Sequence, residues 1–248
     1  MIQIIGSPIS PYVKKIIVLL NLKHVPFAVD PITPFFGDER FSKLSPLRRI
    51  PVFIDSDTVL NDSSVIAQYI EEVWPSPPAL GPDPKTRARA RWLEEYSDTR
   101  IGDAFIWKGF AKMIVEPMVF KTQPDWDAFN RHCDGDVAEI MDFLEAEAPE
   151  EGFFCGAFGL ADITIAAMFR NMAYVGWTPD AARWPNTRAW LARAEEEPPL
   201  ALANQWSDRL LKTPIVERRQ VAAELGLRLT EETYAEKTPR KGPMSQIG

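Results

Sequence analysis

Three short segments carry residue types at spacings that can do chemistry. The first is Ser7-Pro8-Ile9-Ser10-Pro11-Tyr12-Val13-Lys14-Lys15, where Ser10 precedes a proline that opens a helix. Serine before proline is the ordinary signature of an N-cap, and capping alone accounts for it. The same geometry places a hydroxyl at a helix N-terminus, where backbone N–H groups and the helix dipole favour negative charge. A serine there can donate a hydrogen bond to a bound thiolate. The second segment is Arg48-Arg49-Ile50-Pro51-Val52. A proline in a strand-like run belongs at an edge, a strand start or a cis turn. A trans proline opening a strand satisfies this. A cis Ile50-Pro51 bond would instead leave the Ile50 N–H and C=O to pair with an extended peptide by strand addition. The third is Leu60-Asn61-Asp62-Ser63-Ser64. Asp62 or Ser63 caps a helix here. In the functional version the helix N-terminus and the Ser63 hydroxyl take a carboxylate while Asp62 takes an ammonium, the two charges of an amino acid head group.

The elements that must position these groups follow from the pattern around them. Ile2 to Ile5 is a β-branched run ended by Gly6, Pro11 to Lys23 reads as a helix, and Phe27-Ala28-Val29 is a second, weaker strand. Val52-Phe53-Ile54 and Thr58-Val59-Leu60 flank Asp55-Ser56-Asp57 as a β-hairpin, and a helix follows from Ser64 to Val73. This order gives an α/β domain with an open sheet over residues 1–74. Residues 75–84 hold five prolines in ten positions and read as an interdomain linker. Beyond it the chain is helical throughout. Val137, Ile140, Met141 and Leu144 mark one face of an amphipathic helix, and Leu160 to Met172 is apolar nearly all round, as in a helix buried inside a bundle. Arg188 to Glu196 is another amphipathic stretch, stopped by Pro198-Pro199. The helical domain is assigned to residues 85–206. Residues 207–248 form a charged extension expected to be partly mobile, above all its last dozen residues, with Val216 to Leu229 as a candidate last helix.

Composition excludes several classes. The 248 residues carry 28 Lys plus Arg against 35 Asp plus Glu, a formal charge of −7, which disfavours nucleic acid and anionic membranes as partners. Two histidines rule out a histidine-rich metal site, and no metal or cofactor is expected. Cys133 and Cys155 are too few for a disulfide framework and have no activating neighbour in the sequence. The N-terminus lacks the basic and apolar regions of a signal peptide, and no apolar run approaches a membrane span; the expectation is a cytoplasmic protein. Lys85, Arg87, Arg89, Arg91 and Arg100 scatter around a helix and read as a solvated face. Phe105, Trp107, Phe110 and Met113 suit either an apolar pocket or the core of the bundle.

Taken in order, strand–Ser-Pro–helix, Ile-Pro–hairpin and Asp-Ser–helix, the segments resemble the cytosolic glutathione transferase family. The resemblance covers about residues 1–206 and continues through Gly156 to Ile163 and Trp184-Pro185-Asn186 to Trp190. It implies a thioredoxin-like N-terminal domain that binds glutathione as co-substrate, an all-α C-terminal bundle that shapes a second-substrate pocket, and a homodimer engaged in detoxification. On the matching positions, Ser10 would stabilise the thiolate, as in serine-type members with Ser-Pro-aromatic there. Ile50 would pair through its backbone with the cysteinyl part beside a cis Pro51. Asp62 and Ser63 would hold the γ-glutamyl head, and Arg49, where many members have Lys, would meet the glycyl carboxylate. Tyr12, Phe105, Phe110 and Met113 would line the pocket for a small hydrophobic electrophile.

The chain departs from the family pattern at two points. Asp62 stands where Glu or Gln is usual, and Gly159 stands where the buried helix usually starts with Ser or Thr. Asp162 can still reach back to nearby backbone N–H groups there. The same activated sulfur also serves glutathione-dependent lyases, isomerases and peroxidases, and a non-catalytic interaction module on this fold is the alternative from another class.

Overall fold

A computed structural model describes residues 1–240, which divide into two compact units. The first begins β1 (Ile2–Ile5), α1 (Pro11–Leu22), β2 (Phe27–Asp30), α2 (Glu39–Leu44), β3 (Val52–Asp55), β4 (Thr58–Asn61) and α3 (Ser63–Val73). The strands form one mixed sheet in the order β2-β1-β3-β4, with β1 and β2 parallel and β3 antiparallel to both of its neighbours. Burial explains the strand compositions. Ile4, Ile5, Ala28, Val29, Val52 and Phe53 are fully buried, as are Val13, Ile16, Ile17 and Leu20 of α1. Ser56 and Asp57 make the two-residue turn of the β3–β4 hairpin, with Ser56 in the left-handed region.

The second unit holds α4 (Pro84–Tyr96), which runs on as a wider helix of π type over Ser97–Val115 and ends in α5 (Glu116–Phe120). Ile101, Phe105, Ile106 and Phe110 are buried at spacings of four to five, the period a widened helix needs to keep one face inward. Then come α6 (Trp126–His132), a short π-type turn over Cys133–Val137, α7 (Ala138–Glu147), α8 (Leu160–Tyr174) and α9 (Pro185–Glu196). As its composition predicts, α8 is buried almost all round. Its N-terminus explains Gly159. A Cβ on that residue would stand 2.3 Å from the Ala79 carbonyl oxygen, so the Ser or Thr of the family pattern does not fit. Asp162 supplies the missing cap. Its carboxylate accepts from the N–H groups of Gly159 (3.2 Å) and Phe154 (3.1 Å) and from Trp190 Nε1 (2.8 Å). The basic residues of α4 and the π-type helix are partly paired rather than simply solvated. Arg89 bonds Glu147, and Arg100 meets Asp136 and Glu139. His132 donates from Nε2 to the Ala104 carbonyl (2.9 Å), a structural tie.

The boundaries differ from those expected. The units divide at 77/78 and 200/201, so most of α10 (Pro198–Leu211) and the described residues after it belong with the N-terminal unit. The proline-rich linker is anchored rather than loose. Lys23 Nζ donates to the Pro77 carbonyl (2.8 Å), and Ala79 and Leu80 are buried in the helical unit, where the Ala79 carbonyl receives the Leu160 N–H (2.8 Å). Proline prevents a helix but not docking.

The extension, expected to be partly mobile from residue 207, is packed on the first unit through residue 240. A 3-10 turn (Ile215–Glu217) leads into α11 (Arg218–Glu224), which lies within the candidate last helix, and the chain then runs as an extended strap. Leu229 bridges Val29 in parallel, covering part of the β2 edge, and Ala235 bridges Gly37. The mobility expected for the last dozen residues falls, from residue 241 on, outside the described residues. Among the described residues no helix is long and apolar enough to cross a membrane.

Candidate functional site

The register of the sheet brings the three singled-out segments to one end of it. Ile5 pairs with Asp30 and with Val52, and Val52 pairs with Asn61. The chain therefore leaves β1 at Gly6, enters β3 from Pro51 and leaves β4 at Asp62 at the same end of the sheet. The Ser10, Ile50 and Asp62-Ser63 segments thus all start beyond the carboxyl end of β1, the usual ligand position of open α/β sheets.

Gly6 lets two of these segments close up. It has φ +145°, and a Cβ there would lie 2.7 Å from Val13 Cγ2 and 2.9 Å from Ile50 Cβ, so a side chain would push the Ile50 loop from the first turn of α1. The Gly6 and Ser7 N–H groups donate to the Asp30 and Ile32 carbonyls, each at 2.8 Å, fixing the loop that presents Ser10.

Ser10 is the N-cap of α1, as the sequence implies, but a weak one. Its Oγ accepts from the Val13 N–H at 3.5 Å, the outer limit of a hydrogen bond. A hydroxyl that accepts here keeps its own proton to donate. Tyr12 follows in the first turn, half-buried. The Ile50–Pro51 bond is cis, and Ile50 lies just outside the β1–β3 ladder, whose last pair is Ile5 with Val52. Arg49 is exposed, and its backbone is held on both sides by Ser45: the Arg49 N–H donates to Ser45 Oγ, and Oγ donates to the Arg49 carbonyl, each at 2.9 Å. The neighbouring Arg48 serves structure instead. Its buried guanidinium donates to Ser42 Oγ and to the Pro34 (3.1 Å) and Gly37 (2.7 Å) carbonyls, above the Phe41 ring.

Of the two candidate caps of α3, the structure selects Asp62. Oδ1 accepts from the Ser64 (2.9 Å) and Val65 (3.3 Å) N–H groups. Because one oxygen takes both bonds, capping leaves Oδ2 with capacity for a cation. Asp62 has φ +75° and ψ 125°, a sparsely populated conformation for a residue with a side chain, of the kind that clusters at ligand sites. Ser63 follows at the first helical position, 6% exposed.

Two side chains of this region were not singled out from the sequence. Lys14 and Lys15 are fully buried, with Lys14 Nζ donating to Asn204 Oδ1 (2.9 Å) and Lys15 Nζ to Ser64 Oγ (3.4 Å), which ties α1 to the first turn of α3. A Lys-Lys pair after a helix start reads as surface. Only the tertiary partners, 49 and 190 residues away, reveal otherwise.

The remaining candidates lie in the helical unit. Phe105 is fully buried, with its ring 5.2 Å from Phe169 and 5.6 Å from Trp177; Phe110 lies 6.0 Å from Tyr174, and Met113 is buried. Of the two readings, pocket wall and bundle core, these contacts are those of core. Burial pushes the Cys133 thiol up to about 11, with Asp134 adding to the effect, and burial also raises Cys155, with Asp162 adding to it. Among the described residues no group of acidic, His and Cys side chains could hold a metal.

Comparison with known proteins gives this geometry a family. Residues 4–78 match the model of the glutathione S-transferase N-terminal domain and residues 124–193 that of its C-terminal domain. A probable glutathione S-transferase of Glycine max is 29% identical over 87% of this chain and 86% of its own length. Glutathione S-transferase U28 of Arabidopsis thaliana is 28% identical over 86% of the chain and 92% of its own length. Among solved structures, a glutathione S-transferase from Methylobacterium radiotolerans, in complex with glutathione sulfonate, superimposes with a TM-score of 0.66 at 24% identity, covering 81% of this chain and 92% of its own. With both domain models in their expected order and relatives matching over most of their length, the chain belongs to the glutathione S-transferase family.

Proposed function

We propose that the chain binds glutathione in the crevice beyond β1 and activates its thiol for attack on a small hydrophobic electrophile, as a serine-type transferase. The observation that carries this reading is the sheet register, which gathers Ser10, Ile50 and Asp62-Ser63 at one end. The γ-glutamyl head has a carboxylate for the N-terminus of α3 and the Ser63 hydroxyl, and an ammonium for Asp62 Oδ2. The cysteinyl backbone pairs with Ile50 as an added strand. Exposed Arg49 meets the glycyl carboxylate. The glutathione sulfonate bound to the Methylobacterium radiotolerans neighbour supports the ligand class.

A free thiol of this kind titrates at roughly 8.5–9, so a few per cent is thiolate at pH 7. One hydroxyl donor and one helix N-terminus stabilise the thiolate by about 1.4–2.7 kcal/mol, enough to raise its population tenfold or more. Ser10 acts as donor and keeps its proton. The rest of the rate comes from holding the electrophile beside the sulfur. The protein is proposed to act as a cytoplasmic homodimer without a metal or organic cofactor.

Retention on immobilised glutathione followed by a conjugation assay with a model aryl halide tests this reading. Retention with turnover is expected. Retention without turnover would make the chain a non-catalytic glutathione-binding module, and no retention would remove glutathione altogether.

A further inference from the structure

The end of β2, the loop before α2 and the start of α2 are gripped by the far end of the chain. Asp30, fully buried at the end of β2, accepts from Arg219 Nη1 (2.9 Å) and Thr233 Oγ1 (2.8 Å) on one oxygen and from the Tyr234 N–H (2.7 Å) on the other. Beyond this anchor the strap runs along residues 35–38. The Asp38 N–H donates to the Tyr234 carbonyl (2.8 Å), and the Glu236 and Arg240 N–H groups donate to the Phe36 and Phe35 carbonyls (2.7 Å each). From α2, Arg40 reaches back to Glu232 (2.9 Å) and the Thr233 carbonyl (2.7 Å), with its guanidinium over the Tyr234 ring. Tyr234 packs against the cluster of Ile5, Ile32, Phe41 and Val52, to which Leu44 and Ile50 also contribute.

We propose that residues 228–240 form an intramolecular brace that positions α2 and, through Ser45 at its end, Arg49, making the strap a determinant of recognition at the glycyl end of glutathione. The inference rests on the glutathione reading above. It is carried by continuity of contact. The strap holds residues 35–40, Arg48 ties Pro34 and Gly37 to Ser42, and Ser45 at the end of α2 holds the Arg49 backbone from both sides. Nothing comparable joins the strap to Asp62 or Ser63 in the contacts described, so the two ends of the peptide depend on the strap differently. The strap residues touch no ligand in this scheme; they are positioning residues. Neither matched domain model extends to the strap, since the second ends at residue 193.

The test compares glutathione with γ-glutamylcysteine, which lacks the glycyl residue, by calorimetric titration of the full-length chain. Tyr234→Ala removes the ring from the cluster. Arg40→Met cuts the surface tie, and because Arg40 is 53% exposed this variant keeps the fold. In both, the glutathione dissociation constant is expected to rise by about tenfold, the size of one misplaced charge-assisted hydrogen bond. That of γ-glutamylcysteine stays within about twofold. Backbone amides of residues 39–50 should exchange faster with deuterium in the free variants. Equal weakening of both peptides would mean general loosening and overturn the proposal, as would unchanged affinity for both. Failure of the wild type to bind either peptide would overturn the glutathione reading and the brace with it. Wild-type binding of both with equal affinity would overturn the brace alone.

Discussion

Replacing Asp162 by asparagine removes a titratable group from the cap of α8 while keeping its shape. The carboxylate is buried and accepts three hydrogen bonds, from Trp190, Phe154 and Gly159. Burial outweighs those three donors and raises its pKa from 3.8 to about 6. Between these values the folded protein holds a proton that the unfolded chain releases. The stabilisation from this group is thus complete below about 3.8 and is lost as pH rises through about 6. The gap corresponds to about 3 kcal/mol in total, and about 2 kcal/mol of it falls between pH 4.5 and 7. Asparagine does not titrate, so the difference in unfolding free energy between wild type and Asp162→Asn isolates the term, other groups cancelling. Urea denaturation at closely spaced pH values, followed by Trp fluorescence, measures it. The wild type should lose about 2 kcal/mol relative to the variant across that interval. A difference that is flat, or that grows in favour of the wild type with rising pH, would refute the reasoning: the three donors would then outweigh burial, and the cap would be a stable anion.

Three further outcomes follow from the geometry. Ser63→Ala should raise the half-saturating glutathione concentration by about tenfold, the loss of one hydrogen bond to a charged group, as measured by titration. Asp30→Ala strands Arg219, Thr233 Oγ1 and the Tyr234 N–H; it should destabilise by about 3 kcal/mol, the low end for a broken buried pair because Arg219 is 32% exposed, as read by thermal unfolding. The wild type should be poor at reducing glutathionyl mixed disulfides, since Cys133 is pushed up to about 11 and burial also raises Cys155. Ser10→Cys should gain that activity and lose conjugation, because a thiolate at a helix N-terminus attacks disulfides; absence of any gain in a folded, glutathione-binding variant would separate Ser10 from the sulfur.

What could be read from the sequence was local. β1, α1, the hairpin and α3 follow from β-branched runs, Ser10-Pro11, the polar Asp55-Ser56-Asp57 stretch and Asp62-Ser63, each a signal within a few residues. The buried α8 follows from an apolar run with no polar face. The three segments of the candidate site stand out because they follow one another in a fixed order, although each alone is an ordinary cap or strand start. The strap was not legible. Asp30 reads as the end of a weak strand, and its partners lie 189 to 204 residues further on in a charged stretch without periodicity. Its grip combines backbone bonds along residues 35–38 with side-chain ties from Asp30 and Arg40, and partners so distant in sequence leave no local pattern. The two buried lysines escaped because their side-chain partners, Asn204 and Ser64, lie 190 and 49 residues away. Phe105, Phe110 and Met113 could be core or pocket because both ask for the same side chains, and only their packed partners decide. Gly159 departs from the family's capping pattern for a reason outside its own sequence neighbourhood: a Cβ there would stand 2.3 Å from the Ala79 carbonyl oxygen.

The central claim is that Ser10 lowers the pKa of a glutathione thiol bound beside it. The direct measurement is the ultraviolet thiolate absorbance of bound glutathione as a function of pH, in wild type and in Ser10→Ala. The substitution should leave the fold intact, because the capping bond it removes is already long at 3.5 Å. In the wild-type complex the thiol should titrate near about 7, against roughly 8.5–9 when free. In Ser10→Ala the value should return most of the way to the free one while glutathione still binds, with turnover down by about 10- to 100-fold. A bound thiol that titrates like the free one in the wild type, or one whose lowered value survives the loss of the hydroxyl, would contradict the account.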